Sequence, residues 1–171
     1  MKSKRKIALI IIAAIIVLSI GGALFGVVLH RGSPEKAVKA FHDSLLPDYN
    51  ENELKKSVGE DVYSIRFDDK GYFVDRYERA RNQILYYYGE DFDSYLSDFR
   101  VSDLSDAERS SIKREYSSKY SLTVEDAKRV SFSVTLKSEF GEKSREEALV
   151  ALKINGKWLV YDYDAYWFAY M

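Results

Sequence analysis

From Ile7 to Leu29 the chain runs for 23 residues without a charge, IALIIIAAIIVLSIGGALFGVVL. As a helix rising about 1.5 Å per residue, it would be roughly 34 Å long, enough to cross a hydrocarbon layer about 30 Å thick. The run predicts one membrane-spanning helix, 7–29, and the rest of the chain has to be arranged around it. Lys2, Lys4, Arg5 and Lys6 precede it, and only Arg31 follows within a few positions. The positive-inside bias makes 1–6 a basic cytoplasmic tail and puts 33–171 outside the cytoplasmic membrane. A cleaved signal peptide also begins basic and apolar, but its apolar stretch is about 7–15 residues and ends at a small-residue cleavage site. This run is longer and ends without an A-x-A pattern, so a retained single-pass anchor is the expectation. Within it, Gly22 and Gly26 frame a G-x-x-x-G spacing that lets two helix backbones approach, which makes homodimerisation through the anchor a candidate.

Charge narrows the partners. Beyond residue 32 there are 21 basic and 27 acidic residues, a net charge of −6. A domain of that sign has no electrostatic footprint for nucleic acid. The chain has no cysteine, so disulfides and a lipidated cysteine are excluded.

The link to the anchor is short. Ser33-Pro34-Glu35 is a helix start, with serine at the cap and proline in the first turn. Val38, Phe41 and Leu45 then share one face until Pro47 ends the helix. Asn50-Glu-Asn-Glu53 opens a second helix before Leu54 and Val58. After a turn at Asp68-Asp-Lys-Gly71, Phe73, Tyr77, Ala80, Ile84 and Tyr87 mark a long amphipathic helix stopped by Gly89. A strand is expected from Ser97 to Leu104, with Phe99 and Val101 on one face. Ser105-Asp-Ala-Glu108 is a capping box, and Ile112, Tyr116 and Tyr120 follow at helical spacing.

The remainder alternates with period two. Val130, Phe132, Val134 and Leu136 form the apolar side of one strand, and Phe140-Gly-Glu-Lys-Ser144 turns the chain back. Ala148, Val150, Leu152 and Ile154 alternate again, and Asn155-Gly156 signals a tight hairpin. Trp158, Val160 and Asp162 would occupy one face of the last strand, and Leu159, Tyr161 and Tyr163 the other. That strand is apolar on both sides and should be covered on both. Helices first and an antiparallel sheet afterwards give an α+β fold with the helices on one face of a four-stranded sheet.

The order of these elements, with SPEKAVKAFHDSLL at the start and LVALKINGKWLVYDYD at the end, resembles the nuclear transport factor-like, cystatin-like cone superfamily. More narrowly, it resembles the small membrane-anchored domains of that group in bacteria. The likeness covers roughly residues 34–164. It implies a curved sheet wrapped around a helix and enclosing a conical cavity, with Tyr77, Tyr87, Phe132, Val134 and Trp158 as its lining. With the positive-inside bias, 33–164 is expected to be the extracytoplasmic domain, followed by an aromatic tail at 165–171.

Chemistry is sparse. The superfamily's enzymes place Asp, His or Tyr in the cone, yet the two histidines here are His30, at the membrane border, and His42, beside the apolar face of the first helix. They offer no Ser-His-Asp or Cys-His set. Acid–base catalysis by Asp and Tyr, of the isomerase or dehydratase kind, stays open as an alternative, with no single residue singled out. Glu90-Asp-Phe-Asp93 lacks the glycine and closing glutamate of a calcium loop, and no cofactor or metal is implied.

The aromatic tail Tyr166, Trp167, Phe168 and Tyr170 has three readings. It folds back over the sheet, it rims the mouth of the cone, or it contacts lipid headgroups or another protein. Taken together, the sequence predicts a membrane-anchored, non-catalytic interaction or ligand-binding domain. The resemblance adds a scaffold role in an envelope or secretion-type assembly.

Overall fold

A computed structural model describes residues 32–66 and 70–161, with side chains for all of these except 66 and 70–76. The anchor at 7–29 with Gly22 and Gly26, and the tail residues Tyr166, Trp167, Phe168 and Tyr170, lie outside the described residues. Among the described residues, no helix is long and apolar enough to cross a membrane.

Among the described residues, five helices and four strands follow one another: α1 Pro34–Asp43, α2 Glu51–Val58, α3 Glu60–Arg66, α4 Lys70–Tyr88, β1 Asp93–Asp103, α5 Asp106–Tyr120, β2 Asp126–Ser138, β3 Gly141–Ile154 and β4 Lys157–Val160. The strands form one sheet in the order β1-β2-β3-β4, and each neighbouring pair is antiparallel. The fold is α+β, with helices packed on a four-stranded antiparallel sheet.

Local signals explain most boundaries. The Ser33 side chain accepts a hydrogen bond from the Lys36 N–H, and proline occupies the first turn of α1. Asn50 does the same for Glu53 at the start of α2. Ser105 and Glu108 exchange both bonds of a capping box at the start of α5. Asn155 and Gly156 both have positive φ, 51° and 75°, the backbone that a tight hairpin between right-twisted strands requires.

Three boundaries differ from the sequence reading. The chain restarts as α3 immediately after Gly59, whose φ of 90° ends α2 and redirects the backbone. β1 begins at Asp93, so the acidic cluster after Gly89 belongs partly to the sheet. Its register shifts between Ser97 and Arg100, where Asp98 has a φ of 54°. That extra residue puts Phe99 on the same side as Leu96, with its ring centroid 6.0 Å from that of Phe132. The β2–β3 turn is also tighter than expected: Ser138 pairs with Gly141, and Glu142, Lys143 and Ser144 are strand residues.

Helices pack against both faces of the sheet. α1 touches all four strands. Its Val38 and Phe41 join Leu54, Tyr77, Ala80, Ile84, Val130, Phe132, Val134, Leu149, Ala151 and Val160 in the larger core. Residues of opposite parity (Ala127, Leu152, Ile154, Leu159 and Tyr161) form a second core with Ile112 and Tyr116 of α5 and Val62 of α3. The expectation that all helices gather on one face is therefore corrected. The connection from β1 to β2 carries α5 to the other side, because Ile112 and Tyr116 need apolar cover and the even-numbered side chains of β3 supply it. β4 is apolar on both faces and covered on both, as its sequence predicts.

Candidate functional site

Of the residues expected to line a cone, Tyr77, Phe132 and Val134 are buried within the larger core, and Trp158 is partly buried against it. Tyr87 does not join them, being 61% exposed. The buried stripe of α4 runs Tyr77, Ala80, Ile84 and on to the partly buried Tyr88. At about 100° per residue, Tyr88 stays near the direction of Ile84, while Tyr87 falls to the side.

What Tyr87 borders instead is a cleft of about 590 Å³ between the end of α4 and the β2–β3 turn, lined by Gln83, Tyr87, Tyr88, Phe140, Glu142 and Lys143. Gly89 makes this approach possible. Its φ is 80°, its N–H caps α4 by donating to the Leu85 carbonyl at 2.9 Å, and a Cβ there would meet the Phe140 ring at 3.0 Å. Tyr86 and Phe140 are 83% and 70% exposed, and the rings of Tyr86 and Tyr87 meet edge to face at 5.1 Å. Three large aromatic side chains thus stand in solvent at one end of the domain. Phe140 lies in a turn too short to fold the ring away. Local pattern carries no sign of this grouping, because Tyr87 and Phe140 are brought to one cleft only by the fold.

The titratable groups were the other candidates. His42 is 1% exposed, with Nε2 3.1 Å from Ser94 Oγ. Burial lowers its pKa and keeps the ring neutral. A serine beside a neutral imidazole is the beginning of a nucleophilic pair, and Ser94 was not foreseen. A nearby cavity of about 380 Å³, lined by Pro47, Asp48, Arg81, Glu90, Phe92 and Asp93, has neither residue in its wall.

Elsewhere, the Tyr63 hydroxyl donates to Glu51 Oε1 at 3.1 Å, and the rings of Tyr49 and Tyr77 lie 4.9 Å apart. Burial pushes all three phenols up, Tyr77 to about 12. That direction is away from the neutral range in which a general acid or base works best. Asp103 and Glu108 move the other way, held down by hydrogen bonds from Lys128 and Ser105 respectively. Among the described residues, no group of three or more His, Asp or Glu side chains is placed to hold a metal ion.

Comparison with family models, with curated proteins and with solved structures found no match to this chain.

Proposed function

We propose that this chain is a membrane-anchored, extracytoplasmic binding domain without catalytic activity, which contacts a protein partner through its exposed aromatic end. The observation that carries the reading is the exposure of Tyr87 and Phe140 in the wall of an open cleft, with the exposed Tyr86 ring edge to face against Tyr87. Tyrosine and phenylalanine are enriched at protein interfaces, and tyrosine is among the residues that most often anchor them. The apolar run at 7–29 and its basic flank support the anchor and the outside location. The sequence resemblance supports a cone-type sheet and a scaffold role in an envelope or secretion-type assembly. Tyr77 and Phe132, which would line an open cone, are packed in the core, and this favours a protein contact over an enclosed small ligand.

The enzyme alternative has one observation in its favour, the His42–Ser94 pair. It is weakened by the burial of the histidine and by the upward displacement of the buried phenols.

The test is in-membrane crosslinking of the full-length protein, followed by identification of the captured proteins. Wild type is compared with a Tyr87→Ser, Phe140→Ser double variant. A partner recovered with wild type and lost with the variant supports the surface. Equal recovery from both would remove the aromatic end from the interaction.

A further inference from the structure

Of the four asparagines, Asn50, Asn52, Asn82 and Asn155, only Asn155 is followed by glycine. Asparagine side chains are thermolabile, and the group that attacks them is the backbone nitrogen of the next residue. That nitrogen reaches the asparagine Cγ most readily when no side chain of its own stands in the way. At Gly156 none does, and a Cβ built there would meet nothing within 4 Å. The Asn155 side chain is exposed to water. Both halves of a deamidation site are therefore present at the tip of the β3–β4 hairpin.

The fold sets one bond against the reaction. Gly156 donates its N–H to Glu125 Oε1 at 2.9 Å, from a residue 31 positions earlier in the chain. Glu125 stands just before β2, and its own N–H donates to the Lys153 carbonyl at 2.8 Å, which holds it beside the hairpin. Two effects follow for the Gly156 nitrogen. It has to give up a charge-assisted hydrogen bond before it turns toward Cγ. It also has to shed its proton, and a carboxylate within bonding distance disfavours a second negative charge there.

We propose that Asn155 is a self-modification site and that Glu125 restrains it. When the Glu125 bond opens, the Gly156 nitrogen forms a bond to Asn155 Cγ and the Cγ–Nδ2 bond breaks. The nitrogen's proton leaves with Nδ2 as ammonia, and a five-membered succinimide ring remains. Water then adds across one of the two carbonyl–nitrogen bonds of the ring, giving aspartate or isoaspartate. Nothing is oxidised or reduced.

Both products bring a new carboxylate into the turn that Glu125 caps. Isoaspartate also routes the main chain through the former side chain, which lengthens a two-residue turn by one carbon. β4 pairs with β3 only through Lys157–Val160. A turn that no longer matches the twist of its strands therefore removes much of what fixes the register of β4. The change runs in one direction, from a closed hairpin to a loosened one, and it does not depend on the partner reading.

Full-length protein in nanodiscs, incubated at mildly alkaline pH, tests the site. Peptide mass mapping follows aspartyl and isoaspartyl products at position 155, and circular dichroism checks that each variant is folded. Folded wild type should react at least about ten-fold more slowly than the same chain in denaturant, because opening limits the reaction. Glu125→Ala should react at least about five-fold faster than folded wild type. Glu125→Gln keeps an acceptor oxygen without the charge and should fall between the two. Tyr77→Phe weakens the core without touching the turn and should keep the wild-type rate.

A Glu125→Ala rate equal to or below that of wild type overturns the proposal. Equal acceleration by Tyr77→Phe also overturns it, since the rate then follows global unfolding. So does a folded wild type that reacts as fast as the denatured chain. If Glu125→Ala does not fold, Glu125→Gln against wild type decides by the same criterion.

Discussion

The hydroxyl of Tyr77, near the middle of α4, donates to the carbonyl of Leu45 at 2.8 Å, tying the long helix to the segment that follows α1. Removing that hydroxyl leaves a buried carbonyl without this donor, which costs roughly 1–3 kcal/mol. Tyr77→Phe should lower the free energy of unfolding by that amount in denaturant titrations at neutral pH. Burial raises this phenol's pKa to about 12 from an ordinary value of 10.0. Its contribution is therefore complete below pH 10 and lost as pH rises toward 12. The variant should lose less stability than wild type across that interval, and parallel curves would contradict the assignment.

His42 has the opposite dependence. Its folded-state pKa lies below 6.5, burial being the main cause, with Ser94 and Asp43 opposing and Lys39 assisting. Stability from the neutral ring is present above pH 6.5 and drains away as pH falls through the folded value. The stability of wild type should fall more steeply than that of His42→Gln between pH 7.5 and the acid range. Chemical denaturation at a series of pH values measures the difference, and equal slopes would show that the ring takes up no proton on unfolding.

Gly59 is tested by a single methyl group. Its φ of 90° is strained for any other L residue, and an added Cβ would lie 3.1 Å from Leu159 Cδ1. Gly59→Ala should destabilise the domain by about 1–3 kcal/mol. A thermal midpoint equal to that of wild type would mean that α2 and α3 can join in another way.

Phe132 and Trp158 lie on the same side of the sheet but at different depths. Phe132→Ala opens a cavity in a closed core and should cost about 3–5 kcal/mol. Trp158 is only partly buried on a strand at the side of the sheet, so Trp158→Ala should cost about half as much. Equal losses on urea unfolding would place the tryptophan deeper than its exposure indicates.

Much of this architecture was legible in the residues. The period of Val130, Phe132, Val134 and Leu136 identified a buried strand face, the caps at Ser33, Asn50 and Ser105 located helix starts, and Asn155-Gly156 set a hairpin. What escaped were features that local pattern does not encode. Nothing near Asp98 advertises a bulge, because the residue is common at positive φ only once a ladder holds it there. The side taken by α5 depends on which half of β3 offers apolar cover, a relation between segments distant in sequence. Tyr87 was misplaced because a period of three or four leaves one of two neighbouring tyrosines to be chosen. The aromatic cleft and the Ser94–His42 contact each join positions that the chain order separates widely.

β4 is a short strand that belongs to two cores, contributing Val160 to one and Leu159 to the other. Neither core can lose its helices without loosening the strand that the other relies on. The strand thus acts as a thermodynamic hinge pin, and a fluorophore or spin label in either core should report one shared unfolding transition.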